Sequence, residues 1–193
     1  MTLYLVRHGK ARAGIEELDP GLDALGSSQA RSAALALRHR GAVRLVCSPL
    51  RRTRETAAPI AEALSLPVEI RDEVSEVFDP SLDAGARGAM LGPLLLGRWS
   101  EQPARLVEWR DRVVRTLVAL GDVPTVVVSH FVAISAAVGA ATNDDRVSPT
   151  AIPNASITIL DVEDARLVLR SAGDVAHLSS TEISATAPLA GKG

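Results

Sequence analysis

The chain has 193 residues, 47% of them apolar, and a formal net charge of −2. That is apolar material for one full-sized core, which excludes a disordered chain, and too little positive charge for general attraction to nucleic acid or an anionic membrane. One cysteine, Cys47, excludes an internal disulfide framework and fits a reducing, cytoplasmic setting, and neither a signal segment nor a bilayer-length apolar run is read.

The elements follow in chain order. Residues 3–6 are a short apolar run ending in the polar Arg7-His8-Gly9, as a buried strand entering a loop would. Residues 24–39 have helical spacing, with Gly41 placed to end the helix. Residues 43–47 read as a second buried strand. Ser48-Pro49 then reads as an N-cap with Pro in the first helical position, opening a helix through about Leu64. Residues 68–70 are a third strand. The stretch 75–100, punctuated by Asp79-Pro80, Gly85, Gly88, Gly92, Pro93 and Gly97, reads as a short lid-like excursion with a helix near 86–91.

Residues 103–120 form an amphipathic helix with Leu106, Trp109, Val113, Leu117 and Leu120 on one face. Residues 124–128 are the clearest buried strand, leading through Ser129-His130 into an apolar helix over 131–141. Residues 157–160 and 167–169 suggest a hairpin. From 180 the chain is rich in Ser, Thr, Ala and Pro and is expected to be a flexible tail, leaving one domain over 1–179.

Strands alternating with helices predict an α/β fold: three layers, a mostly parallel sheet with helices on both faces. In such sheets the site lies beyond the carboxyl ends of the strands. Three strands here end in the most polar residues of their neighbourhood: Arg7-His8, Ser48 with Arg51-Arg52 one turn on, and Ser129-His130. Lys is confined to Lys10 and Lys192, so an Arg gains meaning only from its position.

Two imidazoles and two guanidiniums around one crevice suit phosphoryl transfer. A neutral imidazole has one nitrogen free to attack, and neighbouring Arg charges disfavour its protonation. Guanidiniums offer planar paired donors to the oxygens over which the transferred charge spreads. The leaving alkoxide needs a proton, and Glu73, Glu76 and Asp79 are the candidates. Glu76 is preferred because it adjoins apolar Val77 and Phe78, where partial burial would raise its pKa. The four histidines are far apart in sequence, so no metal and no cofactor is expected.

Leu5-Val6-Arg7-His8-Gly9 resembles the signature of the histidine phosphatase superfamily, the phosphoglycerate mutase-like proteins. Further segments match in order. Leu22-Asp23-Ala24-Leu25-Gly26 with Gln29-Ala30 is similar to the family's Leu-x-x-x-Gly-x-x-Gln-Ala stretch. Residues 48–57 resemble its Ser-Pro-x-x-Arg-Ala-x-x-Thr-Ala helix start, and Val127-Val128-Ser129-His130 its Val-Ser-His-Gly element. Asn154-Ala155-Ser156-Ile157 and His177-Leu178 also resemble family segments, so the likeness spans roughly residues 3–178.

The resemblance implies a phosphohistidine on His8, a phosphate pocket of Arg7, Arg52 and His130, and an acid at Glu76 with Glu73 as the alternative. It makes Arg52, which precedes the Ala position filled here by Thr53, the phosphate ligand rather than Arg51. Three departures stand out. Lys10 replaces a common Glu or Gln, Gly14 stands near where many members place a phosphate-binding Asn, and Phe131 replaces the Gly after the second His. With the short excursion, these favour a metal-independent phosphatase over a mutase. The expected substrate is a small phosphomonoester or a protein-borne phosphate, and the expected state is monomer or homodimer. The alternatives are a phosphoglycerate mutase-like phosphomutase and a catalytically inactive phospho-ligand-binding protein.

Overall fold

Residues 3–6, 45–47 and 126–128 are buried along their whole length, so each strand needs apolar cover above and below. A computed structural model, which describes residues 1–12, 17–77 and 84–183, shows how that cover is supplied. The strands are β1 (Thr2–Arg7), β2 (Arg44–Cys47), β3 (Val68–Ile70), β4 (Thr125–Ser129), β5 (Ile157–Glu163) and β6 (Arg166–Asp174). They form a six-stranded sheet in the order β3-β2-β4-β1-β5-β6. The first four in that order run parallel, and β5 and β6 are added antiparallel as a hairpin. The sheet is therefore mostly parallel and the fold is α/β, as the sequence pattern predicts.

The period-2 alternation of each strand divides its side chains between two cores. Val6, Leu45, Cys47, Val126 and Val128 face Ala33 and Leu37 of α1 (Ala24–Leu37) and Ala57 and Ile60 of α2 (Arg51–Leu64). A third helix, α3 (Ala84–Leu96), belongs to the excursion. Leu3, Leu5, Val46, Val127 and Leu160 face Val113 and Leu117 of α4 (Ala104–Leu120) and Ala133, Ile134 and Ala137 of α5 (Phe131–Thr142). Each Val, Leu or Ile among these, fully buried, contributes roughly 1.5–3 kcal/mol relative to exposure. Trp99 and Leu94 join Leu106, Val132, Ala136 and Val147 in a smaller third cluster.

Five details differ from the sequence reading. The expected helix at 86–91 is thirteen residues long, 84–96, with Gly85, Gly88, Gly92 and Pro93 inside it. Packing of Leu91, Leu94 and Leu95 around Trp99 outweighs the poor propensity. Ser48 does not cap α2. Its N-cap is Leu50, with no side-chain bond, so Pro49 lies outside the helix and Asp19 from a distant loop accepts the Arg51 amide at 2.9 and 3.1 Å instead. Gly41, with φ +72°, turns the chain into β2 four residues after α1 has ended at Leu37.

The hairpin strands are longer than their apolar cores suggest, because Arg170 ties Asp161 and Glu163 across the exposed edge. The start of the expected flexible tail at 180 is held. The Glu182 carboxylate accepts from the hydroxyls of Ser28 (2.8 Å), Ser32 (2.9 Å) and Ser179 (2.9 Å). The rest of that tail, with Gly14, Phe78 and Asp79, lies outside the described residues.

The register fixes the site. Arg7 of β1 lies beside Ser129 of β4, and Cys47 of β2 beside Val128. His8, Ser48 and His130 therefore leave three adjacent strands at nearly one level, at their carboxyl ends.

Candidate active site

The loop after β1 is held almost entirely by its backbone. His8 N–H continues the ladder to Ser129 O at 3.0 Å, and the Asn154 amide donates to His8 O at 3.0 Å. The Ala155 N–H donates to Arg7 O at 3.0 Å. Gly9 N–H donates to Thr56 Oγ1 (3.0 Å) and Lys10 N–H to Gln29 Oε1 (2.8 Å). Gln29, fully buried, is braced in turn by donating to Glu182 O at 2.5 Å. Gly9 and Gly26 pack main chain to main chain. A Cβ on Gly9 would meet Gly26 O, and one on Gly26 would meet Lys10 O, both closer than 3.0 Å. Four segments far apart in sequence thus converge on one turn.

That turn decides the tautomer of His8. Its Nδ1 lies 2.8 Å from Gly9 O, and a carbonyl only accepts, so Nδ1 carries the proton. Nε2 keeps its lone pair and receives the Arg52 Nε–H at 3.2 Å. Burial, then the positive charges of Arg52 and Arg7, hold the imidazole well below the ordinary histidine range, against a smaller opposing pull from Gly9 O. His8 is thus a buried, neutral ring with an outward lone pair.

His130 stands edge-on to it, ring centroids 5.2 Å apart. Arg52 Nη2 lies 3.2 Å from His130 Nδ1, and a guanidinium only donates, so Nδ1 is the acceptor and Nε2 carries the proton. That proton goes to Ser48 Oγ at 2.7 Å, whose own proton goes on to Thr53 Oγ1 at 2.9 Å, and Thr53 donates to Leu50 O at 2.6 Å. Burial first, then Arg52, holds His130 well below the histidine range as well. One guanidinium therefore bridges the two rings, while its Nη1 lies 3.6 Å from Asp19.

Arg7 donates through Nη1 to Ile152 O at 2.6 Å, its Nε is buried without a partner, and its Cζ lies 5.2 Å from the centre of the Phe131 ring. Burial lowers its pKa to about 10, opposed by Glu76 and aided by Arg52. Glu76 follows the short turn 72–74, accepting from the amides of Val77 (3.0 Å) and Val132. Burial pushes its carboxyl up. Those amides, Arg52 and Arg7 pull the other way, and burial wins. Glu76, set among both guanidiniums, is thus part of the cluster, and Glu73 remains in the turn.

The structure brings together His8, Arg7, Arg52, Glu76 and His130. It leaves out Arg51, which pairs with Glu55 one turn on at 2.7 Å, and His177, which bonds Ala155 O at 3.0 Å. Cys47 is a buried thiol pushed up to about 11 by burial, opposed by Arg54. Among the described residues no three His, Cys, Asp or Glu side chains are grouped as a metal site requires. No helix of the described residues is long and apolar enough to cross a membrane.

Sequence reasoning missed the parts played by Ser48, Thr53, Thr56, Gln29, Asn154 and Asp19. Ser48, Thr56, Gln29 and Asn154 were visible as positions of matched segments. Their partners are backbone atoms or ring nitrogens that no local pattern reveals.

Comparison with known proteins places the chain in a family. The chain is 36% identical over 83 residues to an adenosylcobalamin/alpha-ribazole phosphatase of Salmonella typhimurium, covering 40% of this chain and 41% of the relative. The chain thus spans well under half the length of that relative. It is 26% identical to a probable phosphoglycerate mutase, GpmB, of Escherichia coli, over 93% of this chain and 96% of that one. Among solved structures it is similar to a mycobacterial glucosyl-3-phosphoglycerate phosphatase, with TM-score 0.68 and 26% identity over 90% of this chain and 99% of that chain. A family model, the histidine phosphatase superfamily (branch 1), matches residues 3–175. The chain belongs to the histidine phosphatase superfamily.

Proposed function

We propose that this protein is a metal-independent phosphomonoesterase that works through a phosphohistidine on His8. The observation that carries the reading is the tautomer. Nδ1–H is fixed on Gly9 O, so the Nε2 lone pair is left to the pocket side, where it accepts the Arg52 Nε–H until a phosphoryl group displaces it, in a ring kept neutral by burial and two guanidiniums.

In the first half-reaction His8 Nε2 attacks phosphorus and the bond from phosphorus to the ester oxygen breaks. Glu76, whose carboxyl burial pushes upward, is the acid that passes a proton to the departing alkoxide. Arg7 and Arg52 hold the phosphoryl oxygens as charge spreads over them, and His130 adds a donor when its Nδ1 takes up a proton on phosphate binding. In the second half-reaction the Glu76 carboxylate takes a proton from water. The resulting hydroxide attacks phosphorus, the N–P bond breaks, and His8 and inorganic phosphate are released.

The substrate class is a small phosphorylated molecule, with a protein-borne phosphate as an outlying case. The phosphatase names among the relatives support it. A cytoplasmic location, supported by the single cysteine of the sequence, and a monomer or homodimer complete the proposal. The similarity to GpmB supports a second reading, a phosphomutase that returns the phosphoryl group to another hydroxyl.

The decisive assay is turnover of an aryl phosphate in chelator, beside His8→Ala. The phosphatase reading expects release of phosphate and a loss of at least about 10³-fold in the variant. Turnover by the variant equal to wild type would sink the mechanism. Phosphoglycerate interconversion outrunning phosphate release would select the mutase. Phosphate binding with no turnover on a broad ester panel would select an inactive binding protein.

A further inference from the structure

Phe131 is a departure from the family pattern that touches the site, its ring lying against Arg7. It directly follows His130 at the first position of α5, and is half-buried between the main core and the cluster that holds Val77 and Leu91. Its ring face carries the Arg7 guanidinium, with Cζ 5.2 Å from the centroid. Among the described residues Arg7 makes one side-chain hydrogen bond, Nη1 to Ile152 O, its buried Nε has no partner, and the Glu76 charge acts on it without fixing its orientation. A guanidinium held at one corner can turn about that bond, and an aromatic face beneath it removes that freedom while leaving the N–H edges open to an anion. A Gly at this position would offer no such surface.

We infer that Phe131 is a positioning residue of the phosphate pocket, seating the Arg7 guanidinium on its ring face so that its free N–H edge meets the phosphoryl group. This rests on the proposed phosphate site, and it goes beyond that reading by making affinity depend on an aromatic side chain. The contribution is to binding of phosphate in ground and transition states alike, so it falls on KM and not on kcat. A partly desolvated cation–π contact corresponds to a change of about five- to thirtyfold in affinity.

The test is calorimetric binding of inorganic phosphate to wild type, Phe131→Leu, Phe131→Met, Phe131→Tyr and Phe131→Trp, with thermal melts alongside. Phe131→Leu and Phe131→Met are expected to weaken phosphate binding about five- to thirtyfold and to raise KM with kcat within about twofold. Phe131→Tyr or Phe131→Trp restores wild-type binding. In an Arg7→Lys background the Leu substitution loses most of its effect, because the seated group is gone. Phosphate binding within twofold of wild type in the folded Leu or Met variant overturns the inference, as does a Tyr or Trp variant as weak as Leu. Failure of wild type itself to bind phosphate would instead overturn the proposed function, so the two are distinguishable.

Discussion

The corner around His8 and the excursion that carries Glu76 and α3 are built by opposite means. The corner is fixed by main-chain hydrogen bonds to Thr56, Gln29, Asn154 and Ser129 and by two glycines in backbone contact. The excursion is fixed by apolar packing, and a Cβ added at its Gly88 or Gly92 would meet nothing within 4 Å. The difference teaches where precision is needed. A nucleophile at His8 would tolerate no drift in tautomer or direction, which over-determined surroundings prevent. A leaving-group side at Glu76 would need a proton donor and a wall, which packing can supply.

Glu76→Gln probes the excursion side of this contrast most strongly. A loss of about 10²–10⁴-fold in kcat is expected for alkyl phosphates, with far less for p-nitrophenyl phosphate, whose leaving group needs no proton. Equal losses on both substrates would remove Glu76 from the acid role. Steady-state rates over a series of leaving-group pKa values provide the measurement.

Glycine substitution turns the contrast into stabilities of opposite sign. Gly26→Ala forces a methyl onto the Lys10 carbonyl, and neither main chain can yield without moving His8. It should cost about 2–3 kcal/mol in urea unfolding and lower turnover with it. Wild-type stability for Gly26→Ala would show that the corner is looser than its hydrogen bonds imply.

Acid should loosen the corner first. His8 and His130 both titrate below their ordinary value in the folded protein, so the unfolded chain takes up protons sooner as pH falls. Stability is full above about pH 6.5 and declines below it by about 1.4 kcal/mol per pH unit for each ring. Glu76 acts with the opposite sign. Its raised carboxyl contributes stability present below the ordinary 4.5 and lost as pH rises through its folded value. Urea midpoints from pH 7 to 5.5 should therefore fall less steeply in His8→Ala, and an unchanged slope would count against a neutral His8.

Gly88→Ala gives the smallest effect. It lies in a helix with open space where the methyl would go, so it should stabilise the protein by about 0.5–1 kcal/mol without changing turnover. Destabilisation would mean that the excursion is packed as tightly as the corner.

Much of this was legible in the chain. The strands near residues 3–6 and 124–128 announce themselves because a buried strand in a parallel sheet is a continuous apolar run. Arg7, His8, Arg52 and His130 stand out because polar residues directly after such runs must gather at one sheet edge. The length of α3 was hidden because Gly and Pro punctuate it locally, while Trp99, Leu106 and Val132 hold it from outside. Ser48 was misread as a helix cap because its partner, His130, lies 82 residues away.

By itself the sequence determined the alternation of strand and helix, the two-sided burial of the central strands and the residue types at their ends, since period and polarity are local properties. The tertiary structure alone decided which His8 nitrogen keeps its lone pair, that Ser48 and Thr53 serve His130, and that Phe131 lies under Arg7. Each of those depends on a donor or a ring face delivered from another strand or helix, and the direction of a hydrogen bond is set by the partner it meets.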